Sequence, residues 1–426
     1  MLQISIIEKD FERCQKGLEK RGLKDAKNLL KEILSKDQNR KEIQQKLDGI
    51  LQKSNTLAKE IGQLFKDGEH ERANESKVKS AELKEESRQL SESHQQVEKE
   101  LRELLYDIPN IPHNSVPAGN SEQDNEVIKK EDSTIPDLGS NKKPHWDLIE
   151  EYDIVDFELG NKVAGAGFPF YKGQGARLVR GLVNYFLDKA NEAGYKEVQP
   201  PIVINEASGF STGQLPDKEG QMYHAQVDNL YLIPTAEVPI TNMYRDVILD
   251  EAALPIKHTG YTPCFRREAG SWGSHVRGLN RLHQFDKVEV VQVVHPSNSY
   301  ETLDKMVSHV ETLVKSLRLP YRILRLCAGD LGFTSALTYD FEVFSAAQEK
   351  WLEVSSVSNF ETYQANRLKL RIKNKEGKKE LAHTLNGSAL ALPRIIAALL
   401  ENNQESDQIK MPEVLKPYLG FDSIKK

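Results

Sequence analysis

Apolar residues recur along this chain in two rhythms, and the change falls near residue 106. Between 39 and 105 there is no proline, and Ile43, Leu47, Ile50, Ser54, Leu57, Ile61 and Leu64 follow a four-three spacing. That spacing is the seam of one helix packed on another. "KDGE" (66–69) breaks it with an Asp-Gly turn signal, and Leu83, Ser87, Leu90, His94, Val97, Leu101 and Leu104 then resume it. Helices joined by so short a turn run antiparallel. The pattern predicts a hairpin arm over about 39–105, its helices each roughly 28 to 35 residues and about 40–50 Å long at ~1.5 Å per residue. Ser54, Ser87 and His94 on the seam weaken its packing but help fix register. His94 is read as a half-exposed seam residue rather than a ligand.

"YDIPNIPHNSVPAG" (106–119) ends the helices with a proline cluster, and an acidic, poorly periodic stretch runs on to about 140. Three regions follow: an N-terminal domain over 1–110, a linker over 111–140 and a second domain over 141–426. In the second domain "KEVQPPIVI", "NLYLIPTAEVPI", "YRILRLC", "TYDFEVF" and "KWLEVSSVSNF" read as short strands rich in β-branched and aromatic residues. Helical patterns occupy 173–192, 299–317 and 389–402. Strands that mostly follow one another, with helices set apart, argue an antiparallel sheet flanked by helices. The fold class is α+β with an N-terminal antiparallel two-helix coiled-coil arm.

Composition narrows the function classes. The chain has 426 residues, enough for two domains at the usual ~100–200 residues each. Its net charge of -6 rules out a globally basic nucleic-acid binder, though not a local basic patch. The arm is nearly neutral, with 13 Lys/Arg against 14 Asp/Glu over 39–105, so composition alone reads it as a solvated hairpin for oligomerisation. No apolar run reaches the ~18 residues of a membrane span. Cys14, Cys264 and Cys327 show no CxxC spacing and are too few for a disulfide framework or a zinc site. The start lacks a signal-peptide core and carries acidic residues, so a cytoplasmic location is expected.

The chemistry concentrates in "FRREAGSWGSHVRGLNRLHQFDKVEV" (265–290), read as two strands around a Gly-punctuated loop. With the strand period of two, Arg266 and Glu268 share a face, as do Arg281, His283, Phe285, Lys287 and Glu289. A solvated polar face is the plain reading. Against it, Phe285 sits amid the charges, where it could stack on a base. Arginines interleaved with carboxylates can also hold a phosphate and an ammonium together. In "LIPTAEVPI" Thr235 and Glu237 interrupt an apolar strand, unless the strand ends there in a turn. "WLEVSSVSNF" sets Glu353 between Leu352 and Val354. "LNGSALALPRIIAALLENNQ" reads as an Asn-Gly-Ser turn followed by a helix on which Arg394 is the sole charge between Ser388 and Glu401. That guanidinium must snorkel or find an anion. There is no GxxxxGK[ST] and no GxGxxG opening a βα unit, so a nucleotide site must be built otherwise.

These stretches together resemble the seryl-tRNA synthetase family, of class II and bacterial type, nearly end to end. "GYKEVQPPIVI" resembles motif 1, the family's dimer interface, around Pro201. The 265–290 hairpin resembles motif 2, and "LNGSALALPRIIAALLENNQ" resembles motif 3. "PTAE", "LEVSS" and the helical hairpin ending in "IPNIPH" are specific to the seryl enzymes. The resemblance implies a homodimer that joins L-serine to ATP as seryl-adenylate, then moves serine to the 3′ end of serine tRNA. It leaves selenocysteine tRNA open as a further substrate. The arm would grip the tRNA's long variable arm, reversing the compositional reading.

By the same resemblance Arg266 would bridge the α-phosphate and the serine carboxylate, with Arg394 as the second catalytic arginine. Arg267, Glu268, Arg281, Phe285, Glu353, Val354, Ser355 and Ser356 would complete the ATP site, Glu268 reading the adenine amino group and Phe285 stacking on its ring. Glu353 and Ser356 would hold Mg²⁺, and no zinc is expected. Thr235, Ala236, Glu237, Arg266, Glu289, Asn386 and Ser388 would bind serine, Glu289 and Ser388 taking its hydroxyl. The chain departs from the family pattern in the motif 2 loop, where "GSWGSHVRG" keeps Arg277 but has Ser274 and His275 in place of an Arg-Asp pair. It also departs at Phe360 and Pro393. The loop departures put its acceptor-stem contacts in doubt. A non-catalytic tRNA-binding relative is the competing reading.

Overall fold

The computed structural model describes residues 1–133, 135–268 and 277–426. They form two compact units, Met1–Pro109 and Asn110–Lys426. In the first, helices α1 (Ala26–Lys66) and α2 (His70–Tyr106) pack along their length as an antiparallel pair. Every seam residue named above is buried or half-buried, His94 among the half-buried ones. The expected turn is present. Gly68 takes a φ of +78°, and the Glu69 N–H donates to the Leu64 carbonyl at 2.9 Å. A left-handed glycine thus closes the helix end.

The hairpin differs from expectation at its base, because α1 begins at Ala26 rather than near 39. There Leu30 and Ile33 are fully buried, packed with two short helices, Ile4–Lys9 and Phe11–Lys20. A heptad search misses this stretch because its apolar face meets two short helices instead of one continuous seam. With 41 residues, α1 is about 60 Å long at ~1.5 Å per residue.

The second unit is organised by an eight-stranded sheet. Its strands are β1 (Glu126–Glu131), β2 (Lys196–Glu197), β3 (Ile256–Phe265), β4 (Gln284–Val294), β5 (Tyr321–Arg325), β6 (Leu337–Ser345), β7 (Lys350–Asn359) and β8 (His383–Ala391). Across the sheet they lie β1-β5-β6-β7-β8-β4-β3-β2, and every pairing is antiparallel except β2 with β3. Helices α3 (Gly173–Glu192), α5 (Ser299–Ser316) and α7 (Leu392–Asn402) cover one face. Leu182, Phe186, Met306, Val310, Ile395 and Leu399 on these helices share a core with Val288, Val290, Phe341 and Val357. A short helix α4 (Glu237–Asn242) and another, α6 (Tyr363–Leu368), complete the elements that reach the site. Among the described residues no helix is long and apolar enough to cross a membrane.

Four readings of the sequence need correction. The 111–140 stretch is not a free linker. The His113 N–H donates to the Ala336 carbonyl at 2.8 Å, and β1 pairs with β5 at the sheet edge. All six β1 residues are exposed, so the strand shows no apolar alternation, and its Lys and Glu suit an edge that must not recruit a second chain. Second, 386–388 form no turn. They lie inside β8, where Gly387 is flanked by Val290 and Val357 and a Cβ would stand only 3.2 Å from Val357. Sheet packing on both sides overrides the Asn-Gly turn preference. Third, the strand at 230 stops at Leu232, and α4 starts at Glu237. Fourth, β3 ends at Phe265 and β4 starts at Gln284, which leaves Arg266, Glu268, Arg281 and His283 on the connecting segments.

Candidate active site

The face of the sheet opposite that core carries a row of polar side chains. Antiparallel register sets Asp340 opposite Ser356 and Ser388 opposite Glu289. Between them, Val357 faces Gly387 and Ser358 faces Asn386, a register that carries Ser356 onto the rung of Ser388. Period-two alternation on β4 adds Phe285 and Lys287 to the face of Glu289. Four central strands thus put hydroxyl, amide, ammonium and carboxylate groups on one rigid surface.

At one end of the row the polar side chains form a buried pocket-like cluster. Thr235, Glu237, Lys287, Glu289, Asn386 and Ser388 are all buried, and Ala236 is fully so. The Thr235 hydroxyl donates to Glu289 Oε2 at 2.8 Å, and Lys287 Nζ lies 2.5 Å from the same oxygen. Glu237 opens α4, its N–H directed to Thr235 Oγ1 at 3.3 Å, and its carboxylate accepts from Gln364 Nε2 at 2.6 Å. Gln364 is fixed in turn by the Thr384 hydroxyl at 2.7 Å. Burial, and next the nearby Glu289 carboxylate, push the Glu237 carboxyl up to about 7. Arg266 closes the pocket, with Nε donating to the Pro234 carbonyl at 3.4 Å. Two buried carboxylates, Glu237 and Glu289, therefore lie beside two basic side chains, Lys287 and Arg266.

Beyond Arg266 the surface opens. The Arg266 guanidinium lies 5.2 Å from the centroid of Phe285, a cation–π contact. Arg281 pairs with Glu268, a residue at φ +49°. Arg267 is exposed, its N–H donating to the Gln221 carbonyl at 2.9 Å. Arg394, on the first turn of α7, donates to the carbonyls of Asn280 at 2.9 Å and Glu353 at 2.7 Å. Its closest carboxylate, that of Glu353, is 3.6 Å away. The guanidinium is held by backbone carbonyls more than it is neutralised, so its charge remains available to an anion.

A β-bulge makes the acidic end of the row. The β6–β7 register jumps between Phe341 and Glu342, pairing Phe341 with Ser355 and Glu342 with Glu353. The extra residue lets Glu353 and Ser356, three apart, share a face that a regular strand would deny them. Ser356 donates to Asp340 Oδ1 at 2.6 Å. Burial, followed by the neighbouring Glu353, holds the Asp340 carboxyl well above its usual range. Val354 belongs to the core, and the Ser355 hydroxyl donates to the Ser388 carbonyl at 2.6 Å. Of this run only Glu353 and Ser356 have side chains directed to the row.

Behind Arg394 a buried network fixes the exit of the 265–290 hairpin. His145 and Glu401, both inaccessible, meet at 2.7 Å, and His145 Nε2 accepts from the Leu279 N–H at 2.8 Å. Gln348 joins Glu401 (2.8 Å) to Asn280 (3.0 Å). Arg277 stacks its guanidinium 5.0 Å from the Trp146 ring. Ser274 and His275 lie outside the described residues.

The structure brings Thr235, Glu237, Arg266, Glu289 and Ser388 into one pocket and sets Phe285, Arg394, Glu353 and Ser356 along the same face. Three further participants carry no assignment from the motifs. Lys287 was already visible between Phe285 and Glu289 by strand alternation. Asp340 could have been found from the alternation of "TYDFEVF". Gln364 arrives on α6, and nothing in its local sequence marks it.

An antiparallel sheet whose β3–β4 pair is flanked by arginines on its connecting segments, with a helix that presents one further arginine, is the core of a class II tRNA synthetase. The family model described as "tRNA synthetase class II core domain (G, H, P, S and T)" matches residues 222–403, and the "Seryl-tRNA synthetase N-terminal domain" matches residues 1–112. Full-length relatives agree. The chain is 49% identical to the serine–tRNA ligase of Salinibacter ruber over 100% of this chain and 99% of that one. It is 44% identical to that of Carboxydothermus hydrogenoformans, with 100% of both chains covered. The crystal structure of seryl-tRNA synthetase from Pyrococcus horikoshii complexed with ATP superimposes with a TM-score of 0.90 at 34% identity, covering 100% of this chain and 99% of that chain. The chain belongs to the seryl-tRNA synthetase family.

Proposed function

We propose that this chain is a serine–tRNA ligase, which forms seryl-adenylate from L-serine and ATP and transfers the seryl group to the 3′ end of serine tRNA. The observation that carries the reading is the pocket-like cluster, where Glu237 and Glu289 are buried beside Arg266 at the end of an open cationic face. An amino acid needs a partner for its ammonium, one for its carboxylate and one for its side chain. Glu237, Arg266 and the Glu289–Ser388 rung provide these in that order. Full-length identity to serine–tRNA ligases supports the assignment.

In the first step a serine carboxylate oxygen attacks the α-phosphorus of ATP, forming the acyl phosphate bond and expelling pyrophosphate. The nucleophile is already ionised, so no general base is required, and catalysis is positioning plus charge stabilisation. Arg266 holds the carboxylate against the α-phosphate, Phe285 stacks on the adenine, and Arg394 takes the terminal phosphate. Glu268 reads the adenine amino group and must loosen its pairing with Arg281 to do so, which leaves Arg281 for phosphate. In the second step the tRNA 3′-hydroxyl attacks the acyl carbonyl and AMP departs.

Mg²⁺ fits the acidic end of the row. It is held by one or two carboxylates and completes its shell with water and phosphate oxygens, and Glu353 with the Ser356 hydroxyl offers such a set. The ion would neutralise phosphate charge. Among the described residues there is no cluster of three His, Cys, Asp or Glu able to hold a metal alone. A homodimer through motif 1 is supported by the exposure of Ile202 (39%) and Val203 (42%) just beyond Pro201. The long arm suits a tRNA with a long variable arm, and a cytoplasmic location is consistent with these reactants.

Charging of serine tRNA by the purified protein tests the assignment. Serine should become esterified to a serine tRNA, and a protein that charges none under any serine concentration is not this ligase. The Glu237 carboxyl adds a pH dependence. Substrate ammonium pairs only with its ionised form, so below about 7 binding must first remove a proton. The KM for serine in pyrophosphate exchange should fall by up to about tenfold per pH unit towards neutrality, then level off. The KM for ATP should not follow. A serine KM that is flat from pH 6 to 8 removes Glu237 from the ammonium site.

A further inference from the structure

Lys287 has no part in the family assignments above, yet it stands in the centre of the amino-acid pocket. Its side chain is 8% exposed. Its Nζ lies 2.5 Å from Glu289 Oε2 and donates to Thr235 Oγ1 at 3.0 Å. The Thr235 hydroxyl donates to that same Oε2 at 2.8 Å. Both contacts therefore converge on one oxygen, and no described residue donates to Glu289 Oε1.

Two consequences follow from elementary chemistry. A carboxylate paired with an ammonium accepts hydrogen bonds and cannot donate them. With Oε2 occupied twice, the carboxylate plane is fixed and Oε1 is the acceptor left for a ligand. A buried acceptor of this kind demands a donor: serine supplies one from its hydroxyl, while alanine leaves it unsatisfied.

We propose that Lys287 is a specificity-determining positioning residue, which holds Glu289 as an acceptor with one open oxygen and so makes the pocket reject alanine. This rests on the serine-activating reading of the site. The competing reading is an ion pair that merely ties neighbouring residues of β4 together.

The test is pyrophosphate exchange with serine and alanine for the wild type, Lys287→Met and Lys287→Arg, with ATP binding measured by calorimetry. In Lys287→Met, kcat/KM for serine should fall about 10²–10³-fold while that for alanine changes little, so the serine-to-alanine ratio collapses by a similar factor. ATP affinity should stay within about twofold, and Lys287→Arg should recover most of the ratio. Added to Glu289→Gln, Lys287→Met should cost little more, because the lysine acts through that carboxylate. A ratio that survives in Lys287→Met, with serine and alanine weakened alike, overturns the proposal. If that variant no longer binds ATP, Lys287→Gln, a neutral donor of similar length, is read by the same ratio. Absence of serine-dependent exchange in the wild type would instead overturn the ligase reading itself.

Discussion

Excising residues 39–105 and bridging the gap with a short Gly-Ser linker should leave seryl-adenylate formation within about threefold while lowering tRNA charging on the order of 10³-fold. The asymmetry follows from the division of the chain. Every residue placed in the amino-acid and ATP sites lies within Asn110–Lys426, a compact unit with its own sheet and core. None of the residues proposed for the first reaction lies in the arm. Its near-neutral charge predicts in addition that its grip is set by local phosphate contacts and shape, with little long-range steering. Pyrophosphate exchange and charging, measured on one preparation, decide the matter. Equal loss of both activities would mean that the arm acts on the fold of the catalytic unit rather than on tRNA.

The second large effect is expected at Arg394. Replacement by alanine should lower ATP–pyrophosphate exchange about 10²–10³-fold, the usual cost of removing a pre-positioned charge from a transition state. The geometry gives the reason. Two backbone carbonyls, of Asn280 and Glu353, aim the guanidinium, and the nearest carboxylate stands off at 3.6 Å. The group is oriented but incompletely paired, on the face where phosphate would lie. Arg394→Lys should recover only part of the loss, since an ammonium cannot satisfy both carbonyls and a phosphate in the plane of a fork. Exchange unchanged in Arg394→Ala would take that residue out of the mechanism.

What the sequence could disclose divides along physical lines. Patterns that depend on one element and one partner were legible. The heptad seam, the Asp-Gly turn and the helices at 173–192 and 299–316 need only local periodicity. So did the facing of Phe285, Lys287 and Glu289. Features fixed by tertiary context were not. The edge strand at 126–131 has no buried face to impose a pattern, and β8 carries an Asn-Gly pair that packing holds extended. The β6–β7 bulge that puts Glu353 and Ser356 on one face is a property of two strands together. Gln364, which holds the Glu237 carboxylate, is brought to the pocket from α6 by the fold alone. The identities of the site residues came from the motif resemblance. Their convergence on one sheet face, with Glu289 opposite Ser388, is what the structure adds.

Serine-dependent ATP–pyrophosphate exchange without tRNA, with alanine and threonine in parallel, tests the central claim most directly. On the proposed reading the Glu289–Ser388 rung receives the substrate hydroxyl, so alanine should be rejected by a factor on the order of 10⁴. Threonine keeps the hydroxyl and is opposed only by the space for one methyl, worth ~1–3 kcal/mol, so it should be the stronger competitor. Exchange that ranks serine above threonine and threonine above alanine is the predicted result. Exchange with none of the three, from folded protein with Mg²⁺, would contradict the account and leave a non-catalytic tRNA-binding relative in its place.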